Sequence, residues 1–77
     1  MFFIIHPRDH NPPHLHVRYQ GDDIVISIPK DKYESFEKVR GTLRPKQVKA
    51  ALSWCENNRD LIESNWDRLV EGVYANG

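Results

Sequence analysis

The most chemically distinctive part of the chain is the stretch Asp9-His10-Asn11-Pro12-Pro13-His14-Leu15-His16, which holds three of the four histidines. Imidazole changes charge near neutral pH and also binds transition metals, so neighbouring histidines can carry acid–base chemistry or hold an ion. The two prolines push the residues before them out of the helical conformation. His10 and His14 are therefore not placed on one face of a helix.

Polar and apolar residues alternate from His14 to Tyr19, as they do in a half-buried strand. Because strand side chains have a period of two, we predict that His14, His16 and Arg18 share one face. Gly21 and the two aspartates after it then predict a turn into the next strand of a hairpin.

One interpretation of this segment is acid–base catalysis on a phosphodiester. Two histidines on one strand face can act as general base and general acid, while arginine stabilises the charge that develops on phosphorus. The predicted catalytic residues are His10, His14, His16, Arg18 and Asp9. Arg8 is a further predicted phosphate-binding residue.

Two other interpretations stay open. His14 and His16 can offer two nitrogens to a divalent transition metal, with His10 as a third ligand and Asp9 as a fourth ligand or an orienting group. Alternatively, the prolines fix a tight connection and the histidines only form hydrogen bonds with the backbone beside it.

A second candidate site lies at the start of the first predicted helix. Residues 30 to 50 carry seven basic and three acidic side chains, whereas the chain as a whole has a net charge of zero. The basic residues Arg40, Arg44, Lys46 and Lys49 lie where the helix dipole is already positive. They predict an RNA phosphate or an acidic partner there, or else a solvated surface that keeps the protein soluble.

The pattern of elements predicts an α+β fold. Three or four strands form a small antiparallel sheet within residues 1–41, and an αα-hairpin in residues 42–77 packs on one face of it. Pro45 suits the first helical position, and Asn57-Asn58 predicts the break between the two helices. Helical spacing predicts one apolar stripe on the first helix, Val48, Ala51, Leu52 and Cys55, and another on the second helix, Ile62, Trp66, Leu69, Val70 and Val73. A chain of 77 residues fits a single domain.

Composition narrows the class of protein. The single cysteine, Cys55, excludes an internal disulfide framework and is predicted to be a buried apolar side chain. The apolar start, residues 1 to 5, is too short for a signal sequence or a membrane span, so we expect a cytoplasmic protein.

The segment from Asp9 to His16 resembles the signature of a family of short bacterial proteins, the domain of unknown function numbered 4160. Gly41, Pro45 and Trp54, with Leu61 and Asn65-Trp66, extend the resemblance downstream. The resemblance implies that the gene lies beside one for another small protein, as in toxin and antitoxin pairs.

From the resemblance and the histidines together we expect the toxin of such a pair, acting on RNA as a small ribonuclease. Its expected partners are a cognate antitoxin and RNA, and a second copy of the chain, forming a homodimer, is a further candidate partner. The alternatives are a metal-binding enzyme and a protein-interaction module without catalytic activity.

Overall fold

A computed structural model describes residues 1–5, 14–29, 31–67 and 72–75. Its elements, in chain order, are strand β1 (Phe2–Ile5), β2 (His14–Tyr19), β3 (Asp22–Ser27), β4 (Glu37–Gly41), helix α1 (Pro45–Asn57), helix α2 (Arg59–Asp67) and strand β5 (Gly72–Ala75). The described strands form one sheet in the order β4-β3-β2-β1-β5, and neighbouring strands are antiparallel.

The hairpin between β2 and β3 closes through a two-residue turn. Both turn residues have positive φ, 50° at Gln20 and 83° at Gly21. Positive φ at both positions is typical of a type I′ turn, whose twist matches that of the strands it joins. The turn therefore sets the register that pairs His16 with Val25 and Arg18 with Asp23.

One face of the sheet packs against the helices and forms the core. The strand residues on this helix face are fully buried and join buried residues of α1 and α2: Phe3, Ile5, Leu15, Val17, Ile24, Ile26, Ala51, Cys55 and Ile62. The ring of Trp54 stacks on that of Phe3, with centroids 3.9 Å apart and planes at 15°. Burying each large apolar side chain contributes about 1.5–3 kcal/mol, so this face supplies most of the folding energy.

Residues at both ends of α1 explain where the helix begins and where it ends. Pro45 opens the helix, where its missing N–H costs nothing, and the Val48 amide donates to the Arg44 carbonyl at 2.9 Å. At the other end, the Asn58 side chain donates to the Trp54 carbonyl at 2.9 Å, which satisfies a carbonyl of the last turn. The predicted break at Asn57-Asn58 is confirmed.

The α+β prediction is confirmed, because four antiparallel strands precede two helices. The predicted extent of the helical region, residues 42–77, is wrong at its end. Gly72–Ala75 pairs with Phe2–Ile5 as a further antiparallel strand. Val73, predicted to be on the apolar stripe of the second helix, lies in this strand.

Candidate active site on the histidine face

The face of the sheet opposite the helices carries three of the five residues predicted to be catalytic, His14, His16 and Arg18. We call it the histidine face. Its members follow from the strand register, because directly paired residues point to the same side of a sheet. On strands β1 to β4 they are Phe2, Ile4, His14, His16, Arg18, Asp23, Val25, Ser27, Glu37 and Arg40.

The centre of this face is the pair His14 and His16 on strand β2. Their ring centroids are 5.4 Å apart, with the ring planes at 68° to each other. Strand β2 pairs with β1 on one side and β3 on the other, so its backbone is held along both edges. Both side chains are half-buried, which leaves part of each ring accessible to a ligand. The pair can therefore present two imidazoles to one small group.

The strand register places His16 in one row with an arginine of the edge strand β4. Ile4, His16, Val25 and Arg40 follow one another across strands β1 to β4 as paired residues. Strand β4 has a register shift opposite Val25 and Ile26, which is the mark of a β-bulge. Arg40 therefore belongs to the histidine face, two strands from His16, and its guanidinium adds positive charge to this row.

A second row runs parallel to the first. Phe2 pairs with Arg18, and Arg18 pairs with Asp23. Phe2 is 53% exposed, although it is a large apolar side chain. A cavity of about 640 Å³ lies at this end of the sheet and is lined by these three residues, the hairpin turn, Met1, Tyr19 and Asp22. The row joins an aromatic ring, a cation and a carboxylate at the wall of one cavity.

The family model Domain of unknown function (DUF4160) matches residues 1–67. The chain belongs to the DUF4160 family. The match confirms the family that the sequence resembles, and it spans all the residues named for the histidine face on strands β1 to β4. No curated protein and no solved structure matches the chain. The description of the DUF4160 family names no activity.

Three of the predicted site residues of this DUF4160 member, Arg8, Asp9 and His10, lie outside the described residues. Within the described ranges, no three His, Cys, Asp or Glu side chains are grouped to hold a metal ion. The three-histidine metal site requires His10, so it stays a prediction. His14 and His16 are the two members of that site that the structure brings together.

The predicted basic cluster divides between two parts of the molecule. Arg44, Lys46 and Lys49 are exposed at the first turns of α1, whereas Arg40 lies on the histidine face. The helix start has no acidic residue in its first turn and no side-chain cap at Arg44. Its positive charge is therefore not neutralised by the helix itself.

An apolar groove of about 390 Å³ lies between α1 and β4. Its floor is formed by Leu43, Pro45, Val48 and Leu52, and its charged side chains are Lys38 and Lys49. Such a groove suits apolar side chains that are accompanied by acidic residues.

Over the described residues, no helix is long and apolar enough to span a membrane.

Cys55 is fully buried in the core, as the helical periodicity predicted. Burial, and to a smaller extent the neighbouring charge of Glu56, raises the pKa of its thiol from 9.0 to about 12. The thiol therefore stays protonated at neutral pH, and the thiolate that a nucleophile requires is not formed.

Two residues of the candidate site, Phe2 and Asp23, were not predicted from the sequence. Phe2 belongs to a short apolar strand, and Asp23 belongs to a turn signal, so neither stands out locally. What distinguishes them is their pairing with Arg18 from opposite sides. A row across three strands depends on how three separate segments pair. The sequence pattern predicted only which face of β2 carries Arg18.

Proposed function

We propose that this protein is the toxin of a bacterial toxin and antitoxin pair and acts in the cytoplasm as a small histidine-dependent ribonuclease. The toxin role is supported by the gene layout that the family resemblance implies. The chemistry is supported by one observation, the two neighbouring imidazoles of His14 and His16 with their ring centroids 5.4 Å apart. Arg18 and Arg40 supply positive charge on the same face.

The reaction uses groups that RNA itself provides. One imidazole removes the proton of a 2′-hydroxyl, whose oxygen then bonds to the adjacent phosphorus. The second imidazole donates a proton to the leaving 5′-oxygen as the bond between phosphorus and that oxygen breaks. The products are a 2′,3′-cyclic phosphate and a 5′-hydroxyl. Arginine stabilises the extra negative charge on the phosphoryl oxygens during the transfer.

The separation of the two rings fits this division of labour. A general acid or base acts over a hydrogen-bond distance of about 2.6–3.2 Å, so both groups have to reach atoms bonded to one phosphorus. Two rings whose centroids are 5.4 Å apart on one face of β2 lie close enough for both to reach atoms bonded to one phosphorus. The central position of β2 keeps them in place without the help of a flexible loop.

The decisive experiment is cleavage of a short RNA by the purified protein and by His14→Ala and His16→Ala variants. Loss of a general acid or base lowers the rate by about 10²–10⁴-fold, so each variant should be nearly inactive. Tyr33→Ala, which removes a loop side chain that is 85% exposed, should cleave at the normal rate.

The substrate provides a second control, because RNA with a 2′-deoxy sugar at the cleavage position should resist cutting. In a bacterial host, induction of the wild-type chain should arrest growth with degradation of RNA, and the histidine variants should allow growth. Cleavage that survives both histidine substitutions would contradict the proposal. Activity that disappears with chelator and returns with a divalent transition metal would favour the metal-binding enzyme instead.

A second candidate function is that of a protein-interaction module, and the groove between α1 and β4 favours it. The apolar floor and the two lysines suit a partner segment that is both apolar and acidic, such as one from a cognate antitoxin. Lys38→Glu with Lys49→Glu should then abolish binding of a cognate antitoxin. Lys32→Glu, a charge reversal in an exposed loop, should leave binding intact. If the histidine variants keep full activity while the charge reversals lose it, the module replaces the ribonuclease.

A further inference from the structure

We propose that Phe2, Arg18 and Asp23 form a nucleobase subsite that selects guanine next to the histidine pair. The inference rests on the proposed ribonuclease function, because it names the part of the RNA that this face recognises. It is carried by the row of paired residues across β1, β2 and β3 and by the cavity that this row lines.

The dimensions of the row suit a flat base. Neighbouring strands lie about 4.8 Å apart, so three residues in one row extend over about 10 Å from Phe2 to Asp23. A purine that covers Phe2 and Arg18 therefore has one edge directed at Asp23. The cavity of about 640 Å³ falls within the range of small-molecule sites, about 300–1,000 Å³.

Phe2 and Arg18 provide the stacking surface. Proteins that bind single-stranded RNA stack unpaired bases on aromatic rings and on guanidinium planes. Phe2 is 53% exposed at the edge of the histidine face, and Arg18 beside it is also exposed. The two side chains together offer an aromatic ring and a planar cation to one base.

Asp23 supplies the selectivity. An ionised carboxylate only accepts hydrogen bonds, and its two oxygens match two neighbouring donors. Guanine presents two neighbouring N–H donors on its Watson–Crick edge, whereas adenine, cytosine and uracil each present a donor next to an acceptor. Guanine is therefore the base that a single aspartate can hold with two hydrogen bonds.

The preceding aspartate shows that the two carboxylates have different roles. Asp22 pairs with Tyr19, on the side of the helices, and its carboxylate accepts a hydrogen bond from the Thr42 hydroxyl at 3.1 Å. Asp23 pairs with Arg18 on the histidine face and is exposed. Both aspartates line the cavity, and Asp23 is the one that lies beside Arg18 on the histidine face.

The subsite lies at the right distance from the catalytic pair. Arg18 follows His16 by two residues on β2, which corresponds to about 6.8 Å along an antiparallel strand. A nucleotide whose base lies on Phe2 and Arg18 therefore has its phosphate near the two imidazoles. Cleavage should accordingly occur at phosphates that adjoin a guanosine.

The test is binding of four mononucleotides, the 3′-monophosphates of guanosine, adenosine, cytidine and uridine, followed by NMR chemical shifts. We expect the guanosine nucleotide to bind most tightly and to shift the amides of β1 and of the β2–β3 hairpin. Phe2→Ala should weaken binding of all four by about tenfold, and Phe2→Trp should restore it. Asp23→Asn should remove the preference for guanine while the other three nucleotides still bind.

Matched variants elsewhere serve as controls. Tyr33→Ala removes an exposed aromatic ring in the loop, and Asp60→Asn neutralises an exposed aspartate on α2, so neither should change nucleotide binding. Equal binding of the four nucleotides, or unchanged binding in Phe2→Ala, would overturn the subsite. Phe2 is exposed, so its substitution leaves the core intact.

The outcomes for the subsite and for the ribonuclease can be separated. If RNA is cut without base preference and no mononucleotide prefers the site, the subsite is wrong and the ribonuclease stands. If guanosine monophosphate binds as described and no RNA is cut, the subsite stands and the catalytic step is wrong.

Discussion

The two faces of the sheet are built from alternate residues of the same strands, yet they differ in almost every physical property. On β2, Leu15 and Val17 are fully buried against the helices. Their neighbours His14 and His16 are half-buried, and Arg18 is exposed, on the other side. Successive residues of β2 therefore serve different purposes. Those on the helix face stabilise the fold and those on the histidine face are available for chemistry, because successive side chains of a strand point to opposite faces.

This separation has a physical basis. Apolar side chains of the core gain free energy from losing contact with water, whereas a polar side chain buried there without a partner would cost free energy. The polar side chains of the histidine face stay partly hydrated, so substituting them changes the free energy of unfolding only slightly. Variants of the two faces should therefore fail in different ways.

The largest effect is expected at Gly41, where β4 ends beside Ile24. Its φ is +124°, and a Cβ atom there would collide with the backbone of Asp23 and Ile24. Gly41→Val should therefore prevent stable folding, as measured by urea denaturation. Gly21→Ala is the matched control, because φ is +83° but no atom lies within 4 Å of the new Cβ. It should cost only about 1–2 kcal/mol.

A direct test of the comparison between faces uses the neighbours Leu15 and His16. Leu15→Ala leaves a cavity in the core and should lower the free energy of unfolding by about 2–5 kcal/mol. His16→Ala should change it by less than about 1 kcal/mol while it abolishes RNA cleavage. Equal destabilisation by the two substitutions, measured by chemical denaturation, would show that the faces are not functionally separate.

A smaller effect is expected at Arg59, which lies outside both faces and attaches the loop of residues 31–36 to the helices. Its guanidinium donates to the carbonyls of Asp31 and Glu34 and lies 5.7 Å from the Phe36 ring centre. Arg59→Ala should cost about 1–3 kcal/mol, because these bonds connect segments distant in sequence.

Hydrogen exchange can localise the effect of Arg59→Ala. Faster exchange should be found in the loop, with the sheet amides unchanged. Arg59→Lys should restore only part of the stability, since an ammonium cannot reproduce the planar fork of donors. Uniformly faster exchange throughout the sheet would contradict a local role.

The smallest effect at neutral pH is expected from Cys55. Burial holds its pKa at about 12 in the folded chain, compared with 9.0 for an unperturbed thiol. Between these values the unfolded chain binds fewer protons than the folded one, so stability falls as pH rises from about 9 to 12.

The slope due to Cys55 should approach about 1.4 kcal/mol per pH unit, and it should be absent in Cys55→Ala. Denaturation curves of the two proteins between pH 8 and pH 11 would measure the difference. Parallel curves would show that the thiol does not titrate differently on folding. Thiol reagents should likewise modify the folded wild-type chain only slowly.

Local sequence patterns predicted a large part of this fold. The alternation from His14 to Tyr19 predicted both faces of β2, and the stripe on α1 predicted the burial of Ala51 and Cys55. These features depend on periodicity within one segment, which a sequence records directly. The candidate histidine pair was predicted for the same reason.

What the sequence did not predict depends on contacts between distant segments. The sequence predicts the end of a helix where β5 lies, because four residues carry little local signal and their strand partners on β1 are 67 to 73 positions away. The sequence predicts Arg40 as part of the basic helix start, because only the register of β4, with its bulge, places it on the histidine face. The row of Phe2, Arg18 and Asp23 required the register of three strands at once.

The stack of Trp54 on Phe3 also gives the protein an intrinsic optical reporter. An indole packed at 3.9 Å between a helix and the sheet changes its fluorescence when the two layers separate. With Trp66 replaced by phenylalanine, emission would follow the docking of α1 on β1 alone. A nucleotide on the opposite side of the sheet would leave that signal unchanged, so folding and ligand binding could be followed independently in one sample.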